Sequence, residues 1–338
     1  MRPDLAVSIA FVMAAALNVY VLLGGADFGG GIWDLLAGGS RKARQRSLIE
    51  HAIGPIWEAN HVWLIFVVVI LFTAFPAAFS SYMITLHVPL TIALIGIVLR
   101  GSSFAFRSYG AEEESAEEHR WGRVFAVTST VTPFMLGVCV GALAAGRVHL
   151  VGGLPRFGFI GSWLVPFPLT VGGFTVALFA FLAAVYLTLE TTDPELRDDF
   201  RRRALGAALL IGVLAAVAAL LARSEAPRVW HLLVAVSYAL PFQIATGAAA
   251  VGAIGALAAR RFALARRLAV LQASCILWGW FASQYPYFLV PDLTVHTAAA
   301  PERTLRLVLL TTIAGGAIVV PSFYLLYRTF NKFREGNE

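Results

Sequence analysis

The chain has 338 residues, 59% of them hydrophobic and only 14% charged, with a formal net charge of +6. A soluble domain carries roughly 25% charged residues, so there are too few here to cover a water-facing surface. An ordinary soluble globular protein is excluded, and because the basic residues lie between apolar runs, a membrane accounts for the positive charge without nucleic acid.

No Asp, Glu, Lys or Arg occurs in 5–23, 62–99 or 157–189. About 20 helical residues cross a hydrocarbon layer of ~30 Å. The expected fold is an all-α polytopic membrane protein, because helices satisfy their own backbone groups in lipid and the alternating segments of a barrel are missing. Apolar runs predict nine spans, at 5–27, 53–74, 77–99, 124–145, 163–188, 205–222, 230–257, 268–289 and 305–327. With the N-terminus outside and the C-terminus in the cytoplasm, 19 of the 26 Lys and Arg residues face the cytoplasm. That bias sets the direction and agrees with an odd number of spans.

Span 1 runs into Gly24-Gly-Ala-Asp27-Phe-Gly-Gly-Gly-Ile-Trp-Asp34. Its glycines allow either close helix approach or a break in the backbone. Asp27 is expected at the inner end of the span, where an unpaired carboxylate is costly. A partner, a file of water or a protonated state is therefore expected. Span 2 opens with His51-Ala-Ile-Gly-Pro55-Ile-Trp57-Glu58-Ala-Asn60-His61-Val-Trp63. Pro55 suits a first helical turn. Glu58 and His61, three apart, share a face. A carboxyl in a low dielectric is able to take up and release protons near neutral pH, so Glu58 and His61 either relay protons or satisfy one another. His87, before Pro89, reads as a bundle histidine or, on chemistry alone, a haem ligand.

Arg100 is expected to close span 3, with Arg107 beyond it. Either snorkels to headgroups or pairs with an acidic group or a cofactor propionate. Cys139 and Cys275 are far apart, outside any Cys-x-x-Cys pair, and read as small buried hydrophobes. In span 8, Trp278 to Phe288 is an aromatic belt or one wall of a site for a flat ring or isoprenoid tail, with Trp280, Gln284 and Tyr285 as quinone or lipid contacts. Asn18–Asp27 echoes Ala184–Asp193, and Val88–Ala93 echoes Leu240–Ala245. Those echoes pair span 1 with span 5 and span 3 with span 7. They predict a first four-helix unit at 1–145, a second at 146–290, and a ninth helix with a tail at 291–338.

Together these segments resemble subunit II of the cytochrome bd-type quinol oxidases. The resemblance rests on Gly25-Ala-Asp27-Phe-Gly-x-Gly31, Pro55-x-Trp57-Glu58-x-Asn60-x-Val62-Trp63-Leu64, Phe75-Pro76, Arg100-Gly101 with Arg107, and Trp280 to Pro286. The Gln-Tyr-Pro form at 284–286 is similar to the cyanide-insensitive branch. The resemblance implies nine spans in the bacterial cytoplasmic membrane and a larger partner, subunit I, carrying two haems b and one haem d. The assembled enzyme oxidises quinol and reduces dioxygen to water. This chain would then bind no haem or metal and supply no catalytic residue. It would support assembly and provide a proton route through Glu58, with Asp27 and His61 as further candidates. Gly25, Pro55, Trp57, Asn60, Trp63, Arg100 and Arg107 become structural or interface positions. Small accessory subunits, quinol, lipid and a structural quinone are further implied partners. Family members often carry Asp at the position of Glu58 and Gln at that of His61. A secondary transporter, compatible with a glycine-rich break, is the alternative from another class.

Overall fold

The computed structural model describes residues 4–53, 57–108, 116–152, 154–236 and 239–335. Within them the chain forms α1 (Leu5–Leu35), α2 (Lys42–Ile53), α3 (Trp57–Ala74), α4 (Pro76–Thr85), α5 (His87–Ser108) and α6 (Ala116–Ala144). After a short hairpin, β1 (Leu150–Val151) with β2 (Leu154–Pro155), come α7 (Gly158–Gly161), α8 (Pro166–Leu187), α9 (Pro194–Glu225), α10 (Pro227–Ala235), α11 (Leu240–Ala258) and α12 (Phe262–Gln284). A second hairpin, β3 (Tyr287–Leu289) with β4 (Leu293–Thr294), precedes α13 (Glu302–Glu335). Helices α1, α5, α6, α8, α9, α11 and α12 are long and apolar enough to cross a membrane. An eighth crossing follows if α3 and α4, bent by 116° at their junction, count as one. The chain is a polytopic all-α membrane protein.

Local chemistry sets the helix starts. Asp4 caps α1, its Oδ1 accepting from the amides of Ala6 (3.0 Å) and Val7 (3.2 Å), and Asp193 caps α9 ahead of Pro194. Such caps satisfy amides that have no partner within the helix. Pro76 lacks an N–H and disfavours helix in the residue before it, so the chain bends at Phe75.

Several expected boundaries move. Span 1 does not stop at Asp27: α1 continues unbroken through the glycines to Leu35. The expected span at 77–99 is two helices, α4 and α5, and α5 runs on to Ser108. Its start at His87 puts Pro89 in the first turn, where the missing N–H costs nothing. The expected span at 230–257 is likewise divided into α10 and α11. His51 lies in the last turn of α2.

The glycines of α1 serve close approach. A Cβ on Gly29 would lie 2.0 Å from the Phe179 carbonyl oxygen of α8, and one on Gly25 2.7 Å from Leu182. Helices α1 and α8 meet backbone to backbone there, and Trp33 donates its ring N–H to the Ala180 carbonyl at 2.7 Å. Around this pair lies the main core: Phe28, Phe179, Phe181 and Leu182, then Phe200 and an alanine-rich seam at Ala253, Ala256, Ala265, Ala269 and Ala273. The glycine-rich break compatible with a transporter is therefore absent from α1.

The end carrying Arg41–Arg46 and the start of α9 is held by charge. Arg41 makes a two-pronged pair with Asp199 (2.8 and 2.7 Å), and Gln45 donates to the same carboxylate at 2.9 Å. Arg44 bonds Asp193 at 2.8 Å and Glu195 at 2.6 Å. Arg203 bonds Gln45 at 2.8 Å and lies over the Trp33 ring. The hydrogen bond and charge of Asp199 raise the Arg41 guanidinium above its ordinary value. At the opposite end, Tyr82 donates to the Phe288 carbonyl at 2.9 Å, and His149 meets Asp292 across the two hairpins.

Candidate functional site

Among the described residues, a buried polar cluster inside the bundle is built by α1, α5 and α6. Asp27 lies eight residues before the end of α1, ~12 Å along the axis at 1.5 Å per residue. Its side chain is fully buried, and so is that of Arg100 on α5. The Arg100 Nη2 donates to Asp27 Oδ1 and, at 3.3 Å, to the Asp27 carbonyl; its Nε donates to Ser129 Oγ on α6 at 2.9 Å. The Phe28 and Phe125 rings flank the guanidinium, each centroid 4.8 Å away. A fixed cation thus has a carboxylate, a hydroxyl and two aromatic faces, which is how a charge at membrane depth is tolerated. Arg100 does not snorkel to lipid: α5 is longer than expected, and its register turns the side chain inward.

Two neighbouring atoms lack protein partners, Asp27 Oδ2 and the Tyr20 hydroxyl, seven residues earlier on α1. Asn60 on α3 is fully buried with neither amide atom hydrogen-bonded. Buried polar atoms of this kind take ordered water where space allows. His61 follows, its ring edge-on to Phe28 at 6.0 Å between centroids. Trp63 packs against the main core. Of the other positions singled out in the sequence, Pro55 lies outside the described residues, as do the side chains of Trp57, Glu58 and Arg107. The backbone of Glu58 is in the first turn of α3.

Asp27 and Arg100 were each expected to need explaining; the structure brings them together. Ser129, Phe125 and Tyr20 were not anticipated. Tyr20 had a signal, since seven residues is close to two helical turns and puts it on the face of Asp27. Ser129 had none. His87 is exposed at the start of α5, 3.1 Å from the Ile84 carbonyl, rather than mid-span. Among the described residues no group of three or more His, Cys, Asp and Glu is placed to hold a metal ion. At the far end of α12, Gln284 is buried, Trp280 half-buried, and Tyr285 exposed.

Residues 5–330 match the family described as cytochrome bd terminal oxidase subunit II. The chain belongs to that family. It is 29% identical over 196 residues to the cytochrome bd ubiquinol oxidase subunit 2 of Bacillus subtilis (strain 168), covering 57% of this chain and 56% of that one. It is 29% identical over 202 residues to the cytochrome bd-I ubiquinol oxidase subunit 2 of Escherichia coli (strain K12), covering 59% and 52%. The matched stretches thus span about half the length of those relatives. The bd oxidase structure from Geobacillus thermodenitrificans superposes with a TM-score of 0.81 at 24% identity, over 96% of this chain and 98% of that one. At that identity the likeness carries the fold.

Proposed function

We propose that this chain is the haem-free subunit of a membrane quinol:dioxygen oxidoreductase, paired with a larger subunit that holds two haems b and one haem d. The observation that carries this reading is the family match over residues 5–330. Electrons pass within the partner. This chain supports its assembly and leads protons from the cytoplasm toward the oxygen chemistry, which consumes them. Small accessory subunits attach to the pair, and the enzyme is of the cyanide-insensitive type.

Glu58 is the proposed entry, since it opens α3 at the arginine-rich end. A carboxyl there moves protons without a large free-energy step. His61 and the free oxygen of Asp27 continue the route, while Arg100, which cannot shed its proton, fixes Asp27 in place. Gly25, Pro55, Trp57, Asn60, Trp63 and Arg107 are structural or interface positions. Trp280, Gln284 and Tyr285 contact a quinone or lipid.

We read nine crossings: the seven long apolar helices, α3, and α13. The arrangement is a first four-helix unit in 1–145, a second in 146–290, and α13 with its tail in 291–338. Matching neighbours support it. Helix α1 packs on α3 and α6 as α8 packs on α9 and α12, and α5 lies on α6 as α11 lies on α12. The arginine-rich end faces the cytoplasm of a bacterial inner membrane, with the N-terminus outside.

Co-purification from native membranes tests the reading. A larger partner and haem b and d absorption are expected in the visible spectrum. A chain recovered alone, with no haem-bearing partner, contradicts it.

A further inference from the structure

Asp27 has one oxygen to spare. Its Oδ1 is taken by Arg100, while Oδ2 is buried without a protein partner. The Tyr20 hydroxyl, on the same face of α1, is buried and unpartnered in the same way. Tyr20 is only 2% exposed, and its hydroxyl lies within electrostatic reach of both Asp27 and Arg100.

Gly24 sits between them, four residues after Tyr20 and three before Asp27, and it is buried. A Cβ built there would meet Tyr20 Cε2 at 3.4 Å, and Cδ2 and Cζ at 3.7 Å. Those are ordinary contacts, so the Tyr20 ring lies over Gly24 and the position has room for a methyl group. Gly25 and Gly29 differ: a Cβ on either would strike α8, at 2.7 and 2.0 Å. Close helix approach therefore explains those two glycines and not Gly24. A helical side chain leans over the turn before it, which brings the Asp27 carboxylate back toward Gly24. The space there is about that of one water, with a hydroxyl and a carboxylate oxygen to hold it.

We propose that a single ordered water, seated at Gly24 between Tyr20 and Asp27, carries protons from Asp27 to the Tyr20 hydroxyl. The proposal rests on the reading of Asp27 as part of a proton route and extends that route. Tyr20 is halfway along α1, seven residues or ~10 Å beyond Asp27, so the route reaches the middle of the membrane. The transfer moves no electrons. The Oδ2–H bond breaks as the water gains a proton, and the water passes one of its own to the phenolic oxygen. Tyr20 releases its hydrogen toward the partner's oxygen chemistry, which consumes it. A hydroxyl donates and accepts at once, so Tyr20 need never carry a charge.

The test uses the complete oxidase, with oxygen consumption measured in H2O and D2O alongside the haem spectrum. Tyr20→Phe keeps the ring and removes the hydroxyl. Turnover is expected to fall roughly tenfold with haem absorption kept. The slowing in D2O should exceed that of the wild type, because proton transfer becomes limiting. A fall with an unchanged isotope effect makes Tyr20 structural and overturns the proposal. Wild-type turnover in Tyr20→Phe beside slow turnover in Glu58→Gln overturns the Tyr20 step and leaves the route standing. Wild-type turnover in both brings down the route and this step with it. If Tyr20→Phe loses its haem signals, Gly24→Ala keeps the hydroxyl and fills the water's space with a methyl group. Several-fold slower turnover there, with the larger isotope effect, supports the proposal; unchanged turnover overturns it.

Discussion

Two regions of the bundle are packed from different materials. In the first, α1, α5 and α6 close around Asp27, Arg100 and Ser129, while α3 contributes Asn60, all buried. In the second, α9, α11 and α12 meet largely through alanine: Ala204, Ala207, Ala253, Ala256, Ala265, Ala269 and Ala273. Gln272, on α12, is also buried. Small residues let helices approach closely and hold without a hydrophobic force. Buried charge does the opposite, adding cost unless fully paired. The first region thus pairs buried polar groups, where the second packs small side chains.

Removing a member of the polar core should break that contrast most strongly. Arg100→Ala leaves Asp27 buried without its cation, a loss of about 3–5 kcal/mol for a pair of this kind. The expected outcome is little assembled oxidase in membranes, read by haem absorbance; normal yield would mean that the pair is dispensable. Next in size is Gly29→Ala, whose methyl meets the Phe179 carbonyl and forces α1 from α8, at about 1–3 kcal/mol. Its control is Gly212→Ala in α9, where a Cβ meets nothing within 4 Å. There alanine should be neutral or stabilise by roughly 0.5–1 kcal/mol. Thermal melts of the purified complex that fail to separate the two would undo the close-approach account of α1. Smallest should be Arg41→Gln, which lowers the melting temperature by about 2 °C or less and loses that effect in high salt.

Much of this was legible in the residues. Charge-free runs marked the membrane helices, and glycine density marked the α1 seam. Asp27 and Arg100 stood out as charges beside apolar neighbours. Their pairing was not legible, because 73 residues separate them and only the register of α5 against α1 decides who meets whom. Proline signals cut both ways: Pro76 marks the bend at Phe75, whereas Pro89, a helix starter, was read as lying mid-span. Arg41 and Arg44 were legible as topology markers alone. Their carboxylate partners lie at the start of α9, and only tertiary structure brings that turn to α2.

The proposed proton route is tested most directly at Glu58. In the assembled oxidase, oxygen consumption by Glu58→Gln is predicted to fall roughly tenfold or more, with haem absorption kept at wild-type level. Wild-type turnover in that variant would contradict the account.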